Sequence, residues 1–195
     1  RVDGMERAAL DEYLADYLQV HVFRDYCPNG LQVEGRAEVT RIVTGVTASA
    51  ALLEAAIAAR ADALIVHHGY FWRGEDGRIT GMRRRRIGLL IENDISLFAY
   101  HLPLDAHPEI GNNATLARQL GLAVEARFGE QDIGALGTIA AGATLSDVAA
   151  AINAAVSTAA PSHSVTVARR SARLATACEM LWASAVPQLS IPMPP

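Results

Sequence analysis

Two short segments of this chain carry residue types that bind metals. They are Val66-His67-His68-Gly69 and Tyr100-His101-Leu102-Pro103-Leu104-Asp105. Imidazole is the commonest protein metal ligand because it is largely unprotonated near neutral pH. His67 and His68 directly follow an apolar run, Ala63 to Val66, and burying two imidazoles without partners is costly. Adjacent residues leaving a strand point to opposite sides. One ion can therefore hold both rings only if the backbone bends sharply, whereas two neighbouring ions can take one each. The adjacency favours a dinuclear site. Gly69 lets the chain turn away without a Cβ clash. Asp105 adds the charge that cations need, and a mixed imidazole and carboxylate set suits zinc, manganese, iron or nickel. His101 is either a further ligand or a residue that orients Asp105 from behind.

Other segments carry weaker chemistry. Taken alone, Asp105 reads equally as a loop carboxylate or helix cap. His107, before Pro108, reads as a surface residue. Tyr70-Phe71-Trp72 either walls a pocket or packs under a loop. Arg83 to Arg86 fan around a helix, so they form no basic stripe and read as a solvated helix start or a subunit contact. No GxGxxG, Walker loop, serine nucleophile elbow or CxxC pair occurs, so dinucleotide, NTPase, serine-hydrolase and zinc-ribbon chemistry find no support.

The elements that must position these residues follow from periodicity. Leu10, Leu14, Tyr17 and Leu18 recur at helical spacing within 4–20. Asp25 to Gly30 is a turn-rich loop. Arg41 to Val46 reads as a strand, and Leu52 to Ala59 as a helix with Thr47 or Ser49 as N-cap. Ala63 to Val66 is continuously apolar, as in a strand buried on both faces. A loop over 67–81, a helix over 82–93 and a strand from Ile95 to Tyr100 follow. Pro103 and Pro108 mark 101–113 as a loop, and 113–120 reads as a helix ending at Gly121. Ile133 to Ala140 and Ser164 to Ala168 read as strands. Thr144 and Asp147 form a capping box for a helix through Val156. The expected fold class is α/β: a layered βαβ-containing domain with a parallel or mixed sheet and the metal site at strand C-terminal ends. Residues 1–130 form this domain, and 131–195 start a second segment that is divergent or incomplete.

Composition agrees with a globular domain. The 195 residues are 51% hydrophobic and 19% charged. No apolar run approaches the ~18 residues that a spanning helix needs, so no membrane association is expected. A net charge of −4 argues against nucleic-acid binding, which wants a basic face. Cys27 and Cys178 fit no metal or redox pattern and read as free thiols of a cytoplasmic protein. Arg1 to Gly4 lacks the apolar core of a signal peptide.

The chain resembles a known family. Asp25-Tyr26-Cys27-Pro28-Asn29-Gly30-Leu31-Gln32-Val33-Glu34-Gly35, the two histidine segments, Gly111-Asn112-Asn113 and Gly129-Glu130-Gln131-Asp132-Ile133-Gly134 all fit the GTP cyclohydrolase 1 type 2 homologs, also called NGG-interacting-factor-three-like proteins. The match covers roughly residues 5–140. The resemblance implies a dinuclear centre of two divalent metal ions in an α/β subunit, with subunits in a homohexameric ring. It assigns His67 to one metal, His68 and Asp105 to the other, and His101 close by. It implies a hydrolase acting on a nucleotide-like substrate; for such a hydrolase, Glu130 or Asp132 is a candidate assisting base. The alternative is a non-catalytic metal-binding ring scaffold or regulatory protein. The family completes its site with a C-terminal His-x-x-x-Glu. No such pair follows Asp105 here, since the last histidine, His163, has Val167 four positions on.

Overall fold

The computed structural model describes residues 4–139, 143–157 and 166–169. The chain opens with β1 (Met5–Glu6) and α1 (Arg7–Tyr17), then a 3-10 turn at Val20–Val22. Next come β2 (Gly30–Val33), β3 (Glu38–Val39), β4 (Arg41–Thr47), α2 (Ala50–Ala58), β5 (Ala63–His68), α3 (Gly81–Glu92) and β6 (Ser96–Ala99). The rest is α4 (Leu102–Ala106), α5 (Asn112–Gln119), β7 (Ala123–Phe128), a 3-10 turn at Glu130–Asp132, β8 (Gly134–Thr138), α6 (Leu145–Ser157) and β9 (Thr166–Arg169).

The main sheet has the order β2-β6-β5-β4-β9. Its three central strands are parallel, and β2 and β9 flank them antiparallel. The expected α/β class with a mixed sheet is what the chain forms. Strand alternation explains the layers. Val43, Leu64, Val66, Leu97 and Ala99 pack with Leu52, Leu53 and Ala56 of α2 and Ile87 and Leu90 of α3. Ala63, Phe98 and Tyr100 pack on the other side with Leu10 and Leu14 of α1. A helix layer thus covers each face, which is why Ala63 to Val66 is apolar without a break.

Four local differences from the sequence reading have physical causes. α1 starts at Arg7 because Met5 and Glu6 are extended and pair with β3. The segment after His101 is helical, not a loop, because Pro103 sits in the first turn of α4, where the missing N–H costs nothing. β2 lay hidden because a four-residue strand beside a turn leaves little periodicity. β7, exposed along most of its length, shows no apolar alternation and pairs with β8 in a separate two-stranded sheet. The division at 130/131 falls in the turn between these two strands. Ser49 caps α2, accepting the Leu52 N–H at 3.3 Å, and Thr144 and Asp147 form the expected capping box of α6. β9 overlaps the strand expected at 164–168 and lies against β4. Cys178, His163 and the residues after 170 lie outside the described residues. Among those described, no helix is long and apolar enough to cross a membrane.

The opposite end of the sheet from the histidines is locked by Asp62, which is 5% exposed. Its carboxylate accepts Arg36 Nη1 at 2.8 Å, the Thr40 N–H and hydroxyl at 2.9 and 2.7 Å, and the Arg41 N–H at 2.8 Å. Burial pushes the Asp62 carboxyl up, but the Thr40 and Arg41 hydrogen bonds and the Arg36 charge outweigh it and hold it below its ordinary value. The folded-state pKa is lowered, so this contribution is complete above the unfolded carboxylate pKa and is lost as pH falls through the folded one. Asp62→Ala leaves several buried donors without an acceptor and is expected to cost about 3 kcal/mol. Urea unfolding at neutral pH checks this, and the difference from wild type should shrink in acid.

Candidate metal centre

β4, β5 and β6 run parallel and end at the same edge of the sheet. His67 and His68 are the last two residues of β5. Thr47, the last residue of β4, is directly opposite His68. His101 follows β6 and precedes α4, whose first turn carries Asp105. Topology alone thus brings together residues more than thirty positions apart.

Strand alternation would send the two adjacent rings apart. Instead their centroids are 4.4 Å apart. Each ring leans along the sheet edge toward a neighbouring strand. His67 Nδ1 is 3.1 Å from the Tyr100 carbonyl beyond β6. His68 Nδ1 is 3.1 Å from Thr47 Oγ1 on β4. The His101 ring lies 4.9 Å from that of His67 and 5.8 Å from that of His68. One nitrogen from each of the three lies within 4.8 Å of the others. A single ion holding nitrogens at about 2.1 Å spaces them by roughly 3.4 Å in a tetrahedron, so this cluster is of metal-site dimensions.

The outer partners decide which nitrogens are free. A carbonyl only accepts, so the His67 proton belongs on Nδ1 and Nε2 keeps its lone pair. His101 Nδ1 is 2.8 Å from Asp25 Oδ1, an acceptor with the same consequence. The Thr47 hydroxyl occupies the equivalent nitrogen of His68. Such outer partners are the usual companions of metal-bound histidine. Asp105 Oδ1 lies 3.5 Å from His67 Nε2 and accepts Asn112 Nδ2 at 2.8 Å.

Charge agrees. His67 is 7% exposed, and burial pulls its pKa down against the opposing pull of Asp105 and the Tyr100 carbonyl. Burial, then the neighbouring His67 and His101, lower His68 as well. Both rings are therefore neutral near pH 7 and ready to donate lone pairs. A set of three imidazoles and one carboxylate, with their outer nitrogens already bonded, fits a divalent transition metal.

The sequence singled out His67, His68, His101 and Asp105, and the fold gathers all four. The His101 ring is held by Asp25, and its carbonyl accepts the Asp105 N–H at 3.1 Å. The aromatic trio divides: Tyr70 is core and donates its hydroxyl to the Ala48 carbonyl, whereas Trp72 stands edge-on to His101 at 4.9 Å. Phe71 turns the chain between them at φ +65°, a strained position for a bulky residue. Arg83 binds Glu75 and the Asp76 carbonyl, while Arg84 and Arg85 are exposed. His107 is half-buried against Tyr17 rather than free on the surface. Glu130 and Asp132 are exposed, and among the described residues neither bonds a site histidine. Asp25, Asn29 and Thr47 are the site residues that sequence reasoning missed. Their signal was a polar loop and a strand-terminal threonine, which mean nothing until the strands are in register.

Residues 5–178 match the Duf34/NIF3 (NGG1p interacting factor 3) family. The chain belongs to this family. A protein named GTP cyclohydrolase 1 type 2 homolog from Pseudomonas aeruginosa is 65% identical over 109 residues, 56% of this chain and 43% of that relative. One of the same name from Vibrio cholerae is 60% identical over 121 residues, 62% of this chain and 48% of that relative. The chain spans about half the length of the curated relatives it matches. Among solved structures, "protein ybgI, unknown function" superposes with TM-score 0.75 at 42% identity, covering 85% of this chain and 67% of that one. A Thermus thermophilus protein, TTHA1606, gives 0.70 at 38% identity, covering 84% and 69%.

Gly69 is where β5 gives way to the turn. A Cβ there would press on the Gln32 carboxamide and come within 2.6 Å of Ala99 Cβ. Gln32 cannot retreat freely, because it accepts the Tyr70 N–H and donates to the Pro28 carbonyl. Gly69→Ala is expected to destabilise the fold by about 1–3 kcal/mol through overpacking. A thermal melt beside wild type checks it, and an unchanged midpoint would contradict the crowding argument.

Proposed function

We propose that this chain supplies His67, His68, His101 and Asp105 to a dinuclear divalent-metal centre of a hydrolase acting on a nucleotide-like substrate. The observation that carries this reading is the convergence of three imidazoles whose Nδ1 atoms are already bonded. The count of two ions, one at His67 and one at His68, is what the family resemblance implies. Zinc, manganese, iron and nickel all suit the donor set. Bound metal supplies Lewis acidity toward a carbonyl or phosphoryl oxygen and acidifies water. The chain's own residues fix the ligands. Tyr100, Thr47 and Asp25 hold the three rings, Asn112 holds Asp105, and Trp72 stands beside His68 and His101, 6.0 and 4.9 Å away, where it offers an apolar surface to a substrate. The nucleotide-like substrate comes from the relatives' name, GTP cyclohydrolase 1 type 2 homolog. The His-x-x-x-Glu that the family implies as the remaining ligands does not occur after Asp105 in this sequence.

A second reading, a metal-binding ring scaffold without catalysis, is favoured by one feature. The β7–β8 hairpin exposes Val124, Phe128 and Leu136, a surface suited to self-association into the homohexamer that the family implies.

Elemental analysis of purified protein tests the centre. Wild type is expected to carry divalent metal, and His68→Ala and His67→Ala to lose most of it. Metal-dependent hydrolysis of GTP that disappears with chelator and with His68→Ala supports the enzyme. A wild-type chain free of metal after incubation with zinc and manganese overturns the centre. Bound metal with no hydrolysis, together with hexamers in sedimentation, supports the scaffold instead.

A further inference from the structure

The loop before β2 holds an aspartate that the ligand set does not use. Asp25 is almost completely buried, its side chain 3% exposed. Oδ1 accepts the Tyr26 N–H at 2.6 Å and His101 Nδ1–H at 2.8 Å. Oδ2 accepts Asn29 Nδ2 at 2.9 Å and the Leu102 N–H at 2.8 Å. A carboxylate offers about four acceptor positions, and all four are used. Asp25, Cys27 and His101 also place donor atoms within 4.8 Å of one another, but a saturated carboxylate has no lone pair left for an ion. Cys27 is a poor donor too, because burial, then the nearby Asp25, push its thiol up to about 12. That triplet is therefore not a second metal site.

We propose instead that Asp25 is the positioning residue of the metal centre, fixing the His101 tautomer and anchoring the helix that carries Asp105. The inference rests on the metal-centre reading above. Its first part follows from the His101 bond. With the proton held on Nδ1, only Nε2 is left to bind metal. Its second part follows from Leu102, the first residue of α4. The same carboxylate that orients one ligand ties down the amino end of the helix bearing the other. Asn29 reinforces the grip, since its Oδ1 accepts the His101 N–H at 2.7 Å. The loop is in turn bonded to the β5 end, through Gln32 between the Pro28 carbonyl and the Tyr70 N–H. Asp25 thus ties His101 and the helix bearing Asp105 to one buried carboxylate.

Asp25→Asn is the discriminating variant, because it keeps shape and volume while replacing one acceptor oxygen by an NH2 donor. The carboxamide cannot accept on both sides. Either it loses the Leu102 and Asn29 bonds, or its NH2 donates to His101 Nδ1 and moves the proton to Nε2. Cobalt(II) binding, followed by its visible absorption, is expected to weaken by about 10–100-fold, the usual effect of losing such an outer partner. Adding Asp25→Asn to His101→Ala is expected to cost less than Asp25→Asn costs alone, as for a residue acting largely through the other. Nitrogen-15 NMR of the metal-free proteins at about pH 8, where imidazole is unprotonated, reads the His101 tautomer directly. The expected result is Nδ1–H in wild type and a changed tautomer or mobile ring in Asp25→Asn. Unchanged cobalt affinity and spectrum in a folded Asp25→Asn protein, or additive losses in the double variant, overturn the proposal. A wild type that takes up no cobalt overturns the metal reading, and the tautomer measurement still decides the role of Asp25: an Nε2–H in wild type, or no change in the variant, rejects it.

Discussion

The site depends on three parallel strands ending at one level. β4, β5 and β6 are locked in register by their backbone hydrogen bonds, with Thr47 opposite His68 and Val66 opposite Ala99. A parallel sheet twists but does not slip, because a one-residue slip would turn every apolar side chain to the wrong helix layer. The two apolar clusters on either face of β5 therefore fix where His67 and His68 emerge. Large-scale hydrophobic burial and fine placement of imidazoles are the same constraint seen at two scales. The opposite end of the sheet is held independently by Asp62.

What the sheet presents, hydrogen bonds then refine. Each imidazole has its Nδ1 bonded to a different kind of group: a backbone carbonyl, a hydroxyl and a carboxylate. None of these bonds is strong alone, since a typical net contribution is about 1 kcal/mol. Their value is directional, because they choose which nitrogen keeps its lone pair. Lowered His67 and His68 pKa values follow from burial, so the rings do not need to shed a proton near neutral pH before binding a cation.

The chain belongs to the Duf34/NIF3 family and shares its fold with solved relatives, while it spans about half of its curated relatives. A two-stranded hairpin is marginally stable alone in water; the β7–β8 hairpin, which leaves Val124, Phe128 and Leu136 exposed, is tied to α5 where Asn113 Nδ2 donates to the Ile133 carbonyl.

Local pattern was enough for much of this protein. The continuous apolar run at Ala63 to Val66, the helical spacing of Leu10 and Leu14, the Ser49 cap and the mixed α/β order were all legible, because periodicity and capping are local physics. So were His67, His68, His101 and Asp105, because histidine pairs after an apolar strand need partners. The helix at Leu102 to Ala106 was misread, since a proline signals a break by sequence and a helix start only in context. Asp25, Asn29 and Thr47 were not legible as site residues at all. Their role rests on contacts across 21, 72 and 76 positions, which no spacing rule encodes. The chain's residues determined that candidate metal ligands were present. Tertiary structure alone decided that two adjacent rings converge rather than diverge, and which nitrogen of each is free. Both outcomes depend on neighbours supplied by other strands.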